Sequence, residues 1–391
     1  MEFIDLATQQ RRIKPKLDEN IQKVLTHGKY IMGPEVAELE KRLAGYVGTR
    51  QAIGCASGTD ALLLALLAYE VGPGDAILTT PFTFIATAEV ISLLGATPVF
   101  VDIDPHTFNL DPVACQLALQ ALGAGDPGVY PLPHGRPGGG QPPALRPRGV
   151  IAVDLFGLPA DYHRLNALAA EAGLLVIEDA AQSFGAEYQG RKACALAQVA
   201  CTSFFPAKPL GCYGDGGMCF TDDGGLAERI ESLRVHGKGH HKYDNVRIGI
   251  NGRLDTLQAA ILLAKFEIFP EEVQLRQTVA QRYTELLSPC AGLRTPAVDP
   301  GYLSVWAQYS LLAENEAQRA VLQQQLKEAG IPTAIYYPKP LHLQTAFASL
   351  GYREGDFPVS EDYARRIFSL PMHPYLQAAE QEKLAAVLRQ A

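Results

Sequence analysis

Short apolar strands alternate with helical segments over residues 51–179, and this alternation constrains the fold more than any other feature of the chain. Strands are predicted at 51–55, 75–80, 97–102, 149–154 and 174–179, with helices at 60–69, 84–94 and 160–172. Such alternation favours an α/β fold, in which a mostly parallel sheet is covered by helices on both faces. Ligands of these sheets bind beyond the carboxyl ends of the strands. We therefore expect the functional site at that edge.

The segments that flank this region are predicted to be helical or mixed. Residues 15–47 have the periodicity of two helices, which Gly28 and the Gly33-Pro34 pair separate. A long helical stretch covers about 254–286, where Pro270 predicts a break. Mixed strands and helices after about residue 300 indicate a smaller second domain.

With 391 residues, the chain is long enough for two or three domains. We predict a large domain over 1–253, followed over 254–391 by a linking helix and a small C-terminal α+β domain. Residues 122–148 are rich in proline and glycine and lack periodicity, which predicts a surface insertion in the large domain.

Bulk composition argues for a soluble globular protein of the cytoplasm. Hydrophobic residues make up 47% and charged residues 19% of the chain, and the net charge of −8 disfavours general nucleic-acid binding. No apolar run reaches the length of a membrane span, and the first residues lack the features of a signal peptide. The seven cysteines are scattered and form no Cys-x-x-Cys pair, which predicts reduced thiols.

Lys208 lies in an apolar, glycine-rich stretch, residues 203–217, that carries almost no other charge. Desolvation there is predicted to lower the pKa of the ammonium group and to make the amine a nucleophile. A nucleophilic lysine suggests Schiff-base chemistry, for which pyridoxal phosphate (PLP) is the commonest carbonyl partner. The alternative is a lysine that extends to the surface and has no chemical role.

Asp179 ends an apolar strand and is the candidate partner of a protonated ring. Because side chains alternate along a strand, Glu178 and Asp179 must point to opposite faces. A carboxylate at a strand's C-terminal end can pair with a pyridinium nitrogen, and the protonated ring then accepts electrons from a forming carbanion. A helix N-cap or a structural acid is an equally good interpretation of Asp179 alone.

Candidate binding groups for a phosphate and a flat ring accompany these two residues. Gly58 and Thr59 join a strand to a helix N-terminus, where backbone N–H groups and the helix dipole favour an anion, although Thr59 can also simply cap the helix. Ser203, five residues before Lys208, can supply a hydroxyl to the same phosphate. Phe84 follows a strand and can stack on a ring, a position that also suits a core residue.

Two further observations argue against other kinds of site. His236, His240 and His241 cluster without a suitably spaced acidic or cysteine partner, so we predict a flexible loop and no metal. No Gly-x-Gly-x-x-Gly fingerprint follows the first strand, which disfavours a nucleotide-sugar oxidoreductase.

Taken together, the motifs resemble those of the DegT/DnrJ/EryC1/StrS family of sugar aminotransferases over nearly the whole chain. The motifs are Ser-Gly-Thr-Asp-Ala-Leu (57–62), Gly-Pro-Gly-Asp (72–75), Phe-Thr-Phe-Ile-Ala-Thr (82–87), Glu-Asp-Ala-Ala-Gln (178–182), Ser-Phe-Phe-Pro-Ala-Lys (203–208), Gly-Asp-Gly-Gly (214–217) and Asn-Gly-Arg-Leu-Asp-Thr-Leu-Gln-Ala-Ala (251–260). The resemblance implies the PLP-dependent aspartate-aminotransferase fold, fold type I.

The resemblance also implies how PLP would be held. Lys208 would form the Schiff base, Asp179 would bind the pyridinium nitrogen, Gln182 would contact the ring hydroxyl and Phe84 would stack on the ring. Related sugar 3-dehydratases carry histidine at the lysine position, so Lys208 implies a transaminase.

By the same resemblance, Gly58, Thr59 and Ser203 would hold the cofactor phosphate. Asn251 would reach that phosphate from a neighbouring subunit. The resemblance therefore implies a homodimer with shared active sites.

Residues 200–217 and 369–375 look like the branch of the family that aminates C3 of UDP-2-acetamido-2-deoxy-3-oxo-glucuronate with L-glutamate as donor. That branch serves bacterial surface polysaccharides, including lipopolysaccharide O-antigen. Arg253 and Tyr337 would face the sugar from the second subunit, and a guanidinium suits a carboxylate. Tyr336 stands where the branch has histidine. The alternatives are a transaminase for another nucleotide-linked keto sugar, such as a 4-keto-6-deoxy hexose, and a non-catalytic PLP-binding regulator.

Overall fold

The computed structural model describes residues 1–134, 145–241 and 243–389. Its α-helices are α1 (Leu6–His27), α2 (Pro34–Val47), α3 (Gly58–Ala68), α4 (Ala86–Leu93), α5 (Pro112–Ala124), α6 (Tyr162–Ala172), α7 (Gly224–Leu233), α8 (Thr256–Phe266), α9 (Phe269–Leu287), α10 (Glu316–Glu328), α11 (Pro358–Arg366) and α12 (Ala378–Arg389). Its strands are β1 (Gln51–Cys55), β2 (Asp75–Thr79), β3 (Thr97–Phe100), β4 (Arg146–Val153), β5 (Leu175–Asp179), β6 (Glu187–Tyr188), β7 (Arg191–Lys192), β8 (Val199–Ser203), β9 (Gly217–Thr221), β10 (Leu293–Arg294), β11 (Tyr302–Leu303), β12 (Tyr309–Ala313) and β13 (Ile367–Leu370).

A seven-stranded central sheet has the order β1-β9-β8-β5-β4-β2-β3. Strand β9 runs antiparallel to β1 and β8, whereas the other neighbouring strands are parallel, so the predicted mostly parallel sheet is confirmed. Because β9 is reversed, its first residue, Gly217, is the register partner of Cys55 and Ser203, the last residues of its neighbours. Three strands therefore meet in backbone contact at one edge.

Helices cover both faces of this sheet, as the sequence predicted. Ile177 of β5 packs in a core with α3, α4 and α7, whereas its neighbour Val176 points the other way, toward α5 and α6. On that second face, α2, α8 and α9 cover the strands nearest β1. The strands are apolar on both sides because both sides are buried, and each fully buried leucine or isoleucine contributes about 1.5–3 kcal/mol to the free energy of unfolding.

The C-terminal part of the chain has a sheet and a core of its own. Strands β10, β12 and β13 form an antiparallel sheet, which packs with α9, α10 and α12 around buried side chains such as Tyr283, Leu311 and Phe368. Helix α8 packs instead on α1, where Ile261 meets Leu17. The domain boundary between residues 253 and 254 stays a prediction.

Local signals explain most element boundaries, and two of them differ from the prediction. Helix α1 begins at Leu6 rather than near residue 15, because Asp5 caps it by accepting from the Thr8 N–H. Helix α5, which was not predicted, begins after the cap Asp111 with Pro112 in its first turn.

The segment predicted as an insertion, 122–148, is shorter than expected. It overlaps the end of α5 and the start of β4, and its residues 135–144 lie outside the described residues. The predicted break in the long helical stretch is confirmed, since α8 and α9 are separate and Pro270 lies in the first turn of α9.

None of the helices within the described ranges is long and apolar enough to cross a membrane. All seven cysteines are buried and free, and their reduced state stays a prediction.

Candidate active site

The residues singled out in the sequence converge at the carboxyl edge of the central sheet. Asp179 ends β5, and Ser203 ends β8, the parallel neighbour of β5. The loop after β8 carries Lys208, and Gly58 opens α3 directly after β1. The edge that the strand pattern predicted for a ligand is therefore where these side chains lie.

Lys208 is partly buried in the loop after β8, where its backbone N–H donates to the Phe205 carbonyl oxygen at 2.9 Å. Desolvation lowers the pKa of its ammonium group, and the nearby Asp179 carboxylate opposes that shift only in part. The predicted desolvation is therefore present. The amine is available in its neutral form at a lower pH than a surface lysine would be.

Asp179 is a buried carboxylate whose hydrogen-bond donors are neutral. Its Oδ2 accepts from Thr87 Oγ1 at 2.8 Å and its Oδ1 from the Ala181 N–H at 3.2 Å. Burial raises its pKa, while these two hydrogen bonds and the charge of Lys208 act in the opposite direction. Asp179 caps none of the α-helices in the described ranges, so the N-cap interpretation is not supported.

Glu178 points to the opposite face of β5, as strand alternation predicted. It accepts from the backbone N–H groups of Cys194 and Leu196 at 2.5 and 2.8 Å. Burial raises its pKa and that of its neighbour Asp154, so the pair favours a shared proton over two charges. Asp154 also accepts from Ser183 Oγ at 2.7 Å and thereby fixes the turn after β5.

Five residues come together where the ends of β1 and β8 meet the start of β9, and we call them the anion cradle: Ser57, Gly58, Thr59, Ser203 and Gly217. Ser57 caps α3 by accepting from the Asp60 N–H at 3.0 Å, so Thr59 is not the helix cap. A Cβ on Gly58 would lie 2.7 Å from Ser203 Cβ, and a Cβ on Gly217 would collide with the Ser57 carbonyl oxygen. Only glycine permits this approach, which leaves the first N–H groups of α3 beside the Ser203 hydroxyl.

Gln182 is buried and links two distant parts of the chain. Its Oε1 accepts from the Phe156 N–H at 2.7 Å, and its Nε2 donates to Tyr337 Oη at 3.2 Å. Tyr337 therefore lies in the site of its own chain, whereas the family resemblance implied a contribution from the second subunit. Tyr336, the preceding residue, is half-buried and joined to Tyr337 by a cis peptide bond.

Three further candidates lie at the surface of the single chain. Phe84 is 55% exposed, so it is not a core residue. Asn251 is exposed and Arg253 is partly exposed. Their backbone runs beside the end of β1, where the Ala56 N–H donates to the Gly252 carbonyl oxygen at 2.9 Å.

The histidine segment lies in an irregular loop that follows α7. His236 donates its backbone N–H to the Ile250 carbonyl oxygen at 2.9 Å, and Lys238 forms an isolated bridge with Asn245. Within the described part of the chain, no group of three or more histidine, cysteine or acidic side chains is arranged to hold a metal ion.

Sequence reasoning missed Thr87 and Asp154, which support Asp179 and the turn that follows it. A signal for Thr87 was present, because Thr83 and Thr87 lie four residues apart just after β2, at the edge where ligands bind. Asp154 had a similar signal, since it follows β4 directly.

Known proteins resemble this chain over its whole length. A UDP-2-acetamido-2-deoxy-3-oxo-D-glucuronate aminotransferase from Pseudomonas aeruginosa is 49% identical, with 99% of each chain covered. A crystal structure of a DegT DnrJ EryC1 StrS aminotransferase from Brucella abortus is 48% identical and has a TM-score of 0.92, covering 100% of this chain and 99% of that one.

A second solved structure, Streptomyces venezuelae DesV in complex with a ketimine intermediate, is 35% identical with a TM-score of 0.89 and covers 100% of this chain and 97% of its own. The sequence profile of the DegT/DnrJ/EryC1/StrS aminotransferase family matches residues 11–389. The fold, the edge site and these similarities agree: the chain belongs to the DegT/DnrJ/EryC1/StrS aminotransferase family.

Proposed function

We propose that this protein is a PLP-dependent aminotransferase that moves an amino group from L-glutamate to a nucleotide-linked keto sugar. The observation that carries the proposal is the desolvated amine of Lys208 beside the buried carboxylate of Asp179, at the edge that also holds the anion cradle. A nucleophilic amine, a counter-charge and an anion site are what a phosphorylated pyridine aldehyde requires. Membership of an aminotransferase family supports the same reaction class.

The residues at the edge fit PLP by their chemistry. The buried Asp179 has neutral hydrogen-bond donors in the described structure, and a pyridinium N–H would give it a charged one. The anion cradle would bind the phosphate, Gln182 Nε2 would donate to the ring hydroxyl, and Phe84 would stack on the ring. When bound, PLP supplies an electron sink for a carbanion at the substrate carbon. A solved relative, NtdA from Bacillus subtilis, contains bound PMP and is 26% identical.

Lys208 has two roles in this proposal. Its Nζ, with a pKa lowered by desolvation, would hold PLP covalently. Once released, Nζ would carry a proton from the α-carbon of glutamate to the cofactor and, in the second half-reaction, carry a proton from the cofactor to the sugar carbon that has gained nitrogen. Glutamate leaves as 2-oxoglutarate with an oxygen from water, and the sugar ketone oxygen leaves as water.

We assign the sugar as UDP-2-acetamido-2-deoxy-3-oxo-glucuronate, aminated at C3. The Pseudomonas aeruginosa relative of that name supports the assignment, as does a 37% identical UDP-N-acetyl-3-dehydro-alpha-D-glucosamine 3-aminotransferase from Acidithiobacillus ferrooxidans. Arg253 is the proposed partner of a carboxylate, because a guanidinium binds it through two hydrogen bonds. Tyr336 and Tyr337 are the other proposed sugar contacts.

A second candidate is a transaminase for another nucleotide-linked keto sugar, such as a 4-keto-6-deoxy hexose. The observation in its favour is Tyr336, which stands in place of the histidine of the assigned branch. A Streptomyces venezuelae relative, dTDP-3-amino-3,4,6-trideoxy-alpha-D-glucose transaminase, is 35% identical.

A regulator without catalysis is the candidate of a different class. A relative from Geobacillus stearothermophilus, 42% identical, is named a pleiotropic regulatory protein. The complete set of Lys208, Asp179 and Gln182 argues for catalysis, because a protein that only binds PLP does not require a base for proton transfer.

We also propose a cytoplasmic homodimer that serves surface polysaccharide biosynthesis, including O-antigen. Large apolar side chains are exposed beside the site, with Ile31 and Phe205 at 53% and Ile248 at 93%. Exposed apolar surface of this kind is typical of an interface between subunits. It adjoins Asn251, the proposed contribution of one subunit to the other's phosphate site. Light scattering of the holoprotein tests the dimer, and a monomer at micromolar concentration would contradict it.

The reaction itself is tested by two additions to the yellow holoprotein. Glutamate should bleach the PLP absorbance and release 2-oxoglutarate in stoichiometric amount. The UDP-linked 3-keto uronate should then restore the absorbance, with nitrogen located on C3 by NMR of the product. Restoration by a 4-keto-6-deoxy sugar alone would favour the second candidate, and a protein that glutamate does not bleach would favour the regulator.

A further inference from the structure

A pair of buried threonines lies behind Asp179. Thr87 Oγ1 is 2.8 Å from Asp179 Oδ2, and Thr83 Oγ1 is 3.3 Å from Thr87 Oγ1. Thr83 is 2% exposed and Thr87 is 1% exposed. We call these two side chains the hydroxyl relay.

The direction of the relay follows from the number of hydrogens. An ionised carboxylate can only accept hydrogen bonds, so Thr87 donates its single hydroxyl hydrogen to Asp179. The Thr87 oxygen can then only accept from Thr83, and Thr83 is the donor of that contact. Both hydroxyl dipoles therefore point toward Asp179, which stabilises its charged form.

Thr87 is the sole side-chain donor to Asp179 in the residues that the structure describes. The other hydrogen bond, from the Ala181 N–H, is longer at 3.2 Å. Burial alone would favour the neutral acid, so the charge of Asp179 depends on the few groups that oppose burial.

Three titratable groups face Asp179: Lys208 from the loop after β8, Cys201 from β8 and Tyr337 from the C-terminal part of the chain. Tyr162 of α6 lies on the opposite face of the sheet and interacts with Asp179 only through charge. Burial raises the pKa of the thiol and of both phenols, so all three stay neutral near pH 7. Asp179 and Lys208 are therefore the groups whose charges matter around neutral pH.

We propose that Thr87 is a positioning residue that keeps Asp179 ionised and aimed at the cofactor ring nitrogen, and that Thr83 fixes Thr87 in turn. This inference rests on the PLP function proposed above. A neutral Asp179 leaves the pyridinium nitrogen without its counter-charge, so cofactor affinity falls wherever Asp179 takes up a proton. Without the Thr87 hydroxyl, the affinity for PLP should begin to fall at a higher pH than in the wild type.

The test is a titration of PLP into the full-length apo-protein from pH 5 to pH 9, followed by absorbance. In Thr87→Val, which keeps the shape and loses the hydroxyl, we expect the Kd for PLP to rise about tenfold on the acid side, as for a lost hydrogen bond to a charged group. The acid limb of the Kd profile should move to higher pH. Thr87→Ser, which keeps the hydroxyl, should restore the wild-type profile.

Two variants separate this role from a packing defect. Thr79→Val removes an equally buried hydroxyl that donates only to the Ile151 carbonyl oxygen at 3.0 Å, and it should leave the acid limb in place. Thr83→Val should move the limb in the same direction by less. If Thr87→Val does not fold, as judged by circular dichroism, Thr83→Val decides the question.

The results separate a failure of the relay from a failure of the proposed function. The relay is overturned if Thr87→Val binds PLP as tightly as wild type, or if its affinity falls equally at all pH values. If Thr87→Val does not fold, a wild-type Kd profile in Thr83→Val overturns the relay. Wild-type protein that takes up no PLP overturns the proposed function instead.

Discussion

Lys208 and Lys265 are two lysines in similarly apolar stretches of sequence, and the structure gives them different surroundings. Desolvation lowers the pKa of both amines, that of Lys265 to about 8. Lys208 is partly exposed at the sheet edge and faces Asp179. Lys265 is 0% exposed on α8, and its Nζ lies 4.2 Å from the centre of the Tyr213 ring. In the described ranges, Nζ of Lys265 has no hydrogen-bond partner.

The comparison teaches that burial alone does not make a lysine reactive. Lys265 has the lowered pKa of a nucleophile, but its side chain is fully buried beside the ring of Tyr213 and the charge of Glu272. The pKa of Lys208 is lowered as well, and its amine is also partly exposed, faces a carboxylate and lies at the edge that holds the anion cradle. Function therefore depends on what an amine faces, which a run of apolar residues in the sequence does not encode.

The largest expected effect is the loss of catalysis in Lys208→Ala. Turnover should fall about 10³-fold or more, because the base that we propose for both proton transfers is gone. The rate of bleaching by glutamate in PLP-loaded protein measures it. Borohydride reduction of the wild-type holoprotein, followed by peptide mapping, should label Lys208 and leave Lys265 unlabelled. Label on Lys265 instead would reverse the comparison.

Asp179→Asn comes next, because it removes the counter-charge and keeps the shape. Losing one partner of a buried ion pair costs about 3–5 kcal/mol, so kcat/KM should fall at least about 100-fold. Retention of PLP on dialysis should fall as well. Glu178→Gln is the matched control on the opposite face of β5 and should keep PLP. If Asp179→Asn and Glu178→Gln lost PLP to the same extent, the two faces of β5 would not have separate roles.

Gly58→Ala tests whether the anion cradle needs its close backbone approach. The added Cβ would lie 2.7 Å from Ser203 Cβ, and overpacking costs about 1–3 kcal/mol. The Kd for PLP should therefore rise roughly tenfold, measured by titration of the apo-protein. Gly45→Ala, in a helix where a Cβ would meet nothing within 4 Å, should leave the Kd unchanged.

The smallest effect on activity is expected for Lys265→Met, which should change turnover by less than about twofold. Its effect should appear in stability, because the folded pKa of Lys265, about 8, lies below its value in the unfolded chain. Between those two values the unfolded chain binds more protons, so the contribution of Lys265 to the free energy of unfolding rises with pH. Below pH 8 the buried charge destabilises the fold.

Lys265→Met should therefore be more stable than wild type at pH 7, by about 1–3 kcal/mol, and this advantage should shrink toward pH 10. Urea unfolding of both apo-proteins at equal concentration measures the difference. A stability gap that stays constant from pH 7 to pH 10 would show that Lys265 does not titrate as its burial implies.

The sequence predicted the parts of this molecule that local chemistry determines. Alternating apolar strands predicted the sheet, and strand periodicity predicted that Glu178 and Asp179 diverge. Asp179 ends an apolar strand, and Gly58 lies between a strand and a helix. Because the carboxyl ends of parallel strands lie at one edge of a sheet, the sequence predicted that these two residues would lie at the same edge.

Features that depend on contacts between distant residues were not predicted. Thr87 and Asp179 are 92 positions apart, and no periodicity relates them. The reversal of β9 depends on how the chain turns between Ser203 and Gly217, and its apolar residues would suit either direction. The unpredicted helix α5 is a different case, since the Asp111 cap and Pro112 were readable signals.

The reversed strand β9 has a consequence for how enzymes of this shape diversify. Its ladder joins the three strand ends that carry the anion cradle, so a substitution that shifts one strand end would displace the whole proposed phosphate site. Arg253 and Tyr336, the proposed sugar contacts, lie outside the helices and strands, so their side chains can change without altering the strand ladder. A lineage can thus acquire a new acceptor while its chemistry remains intact.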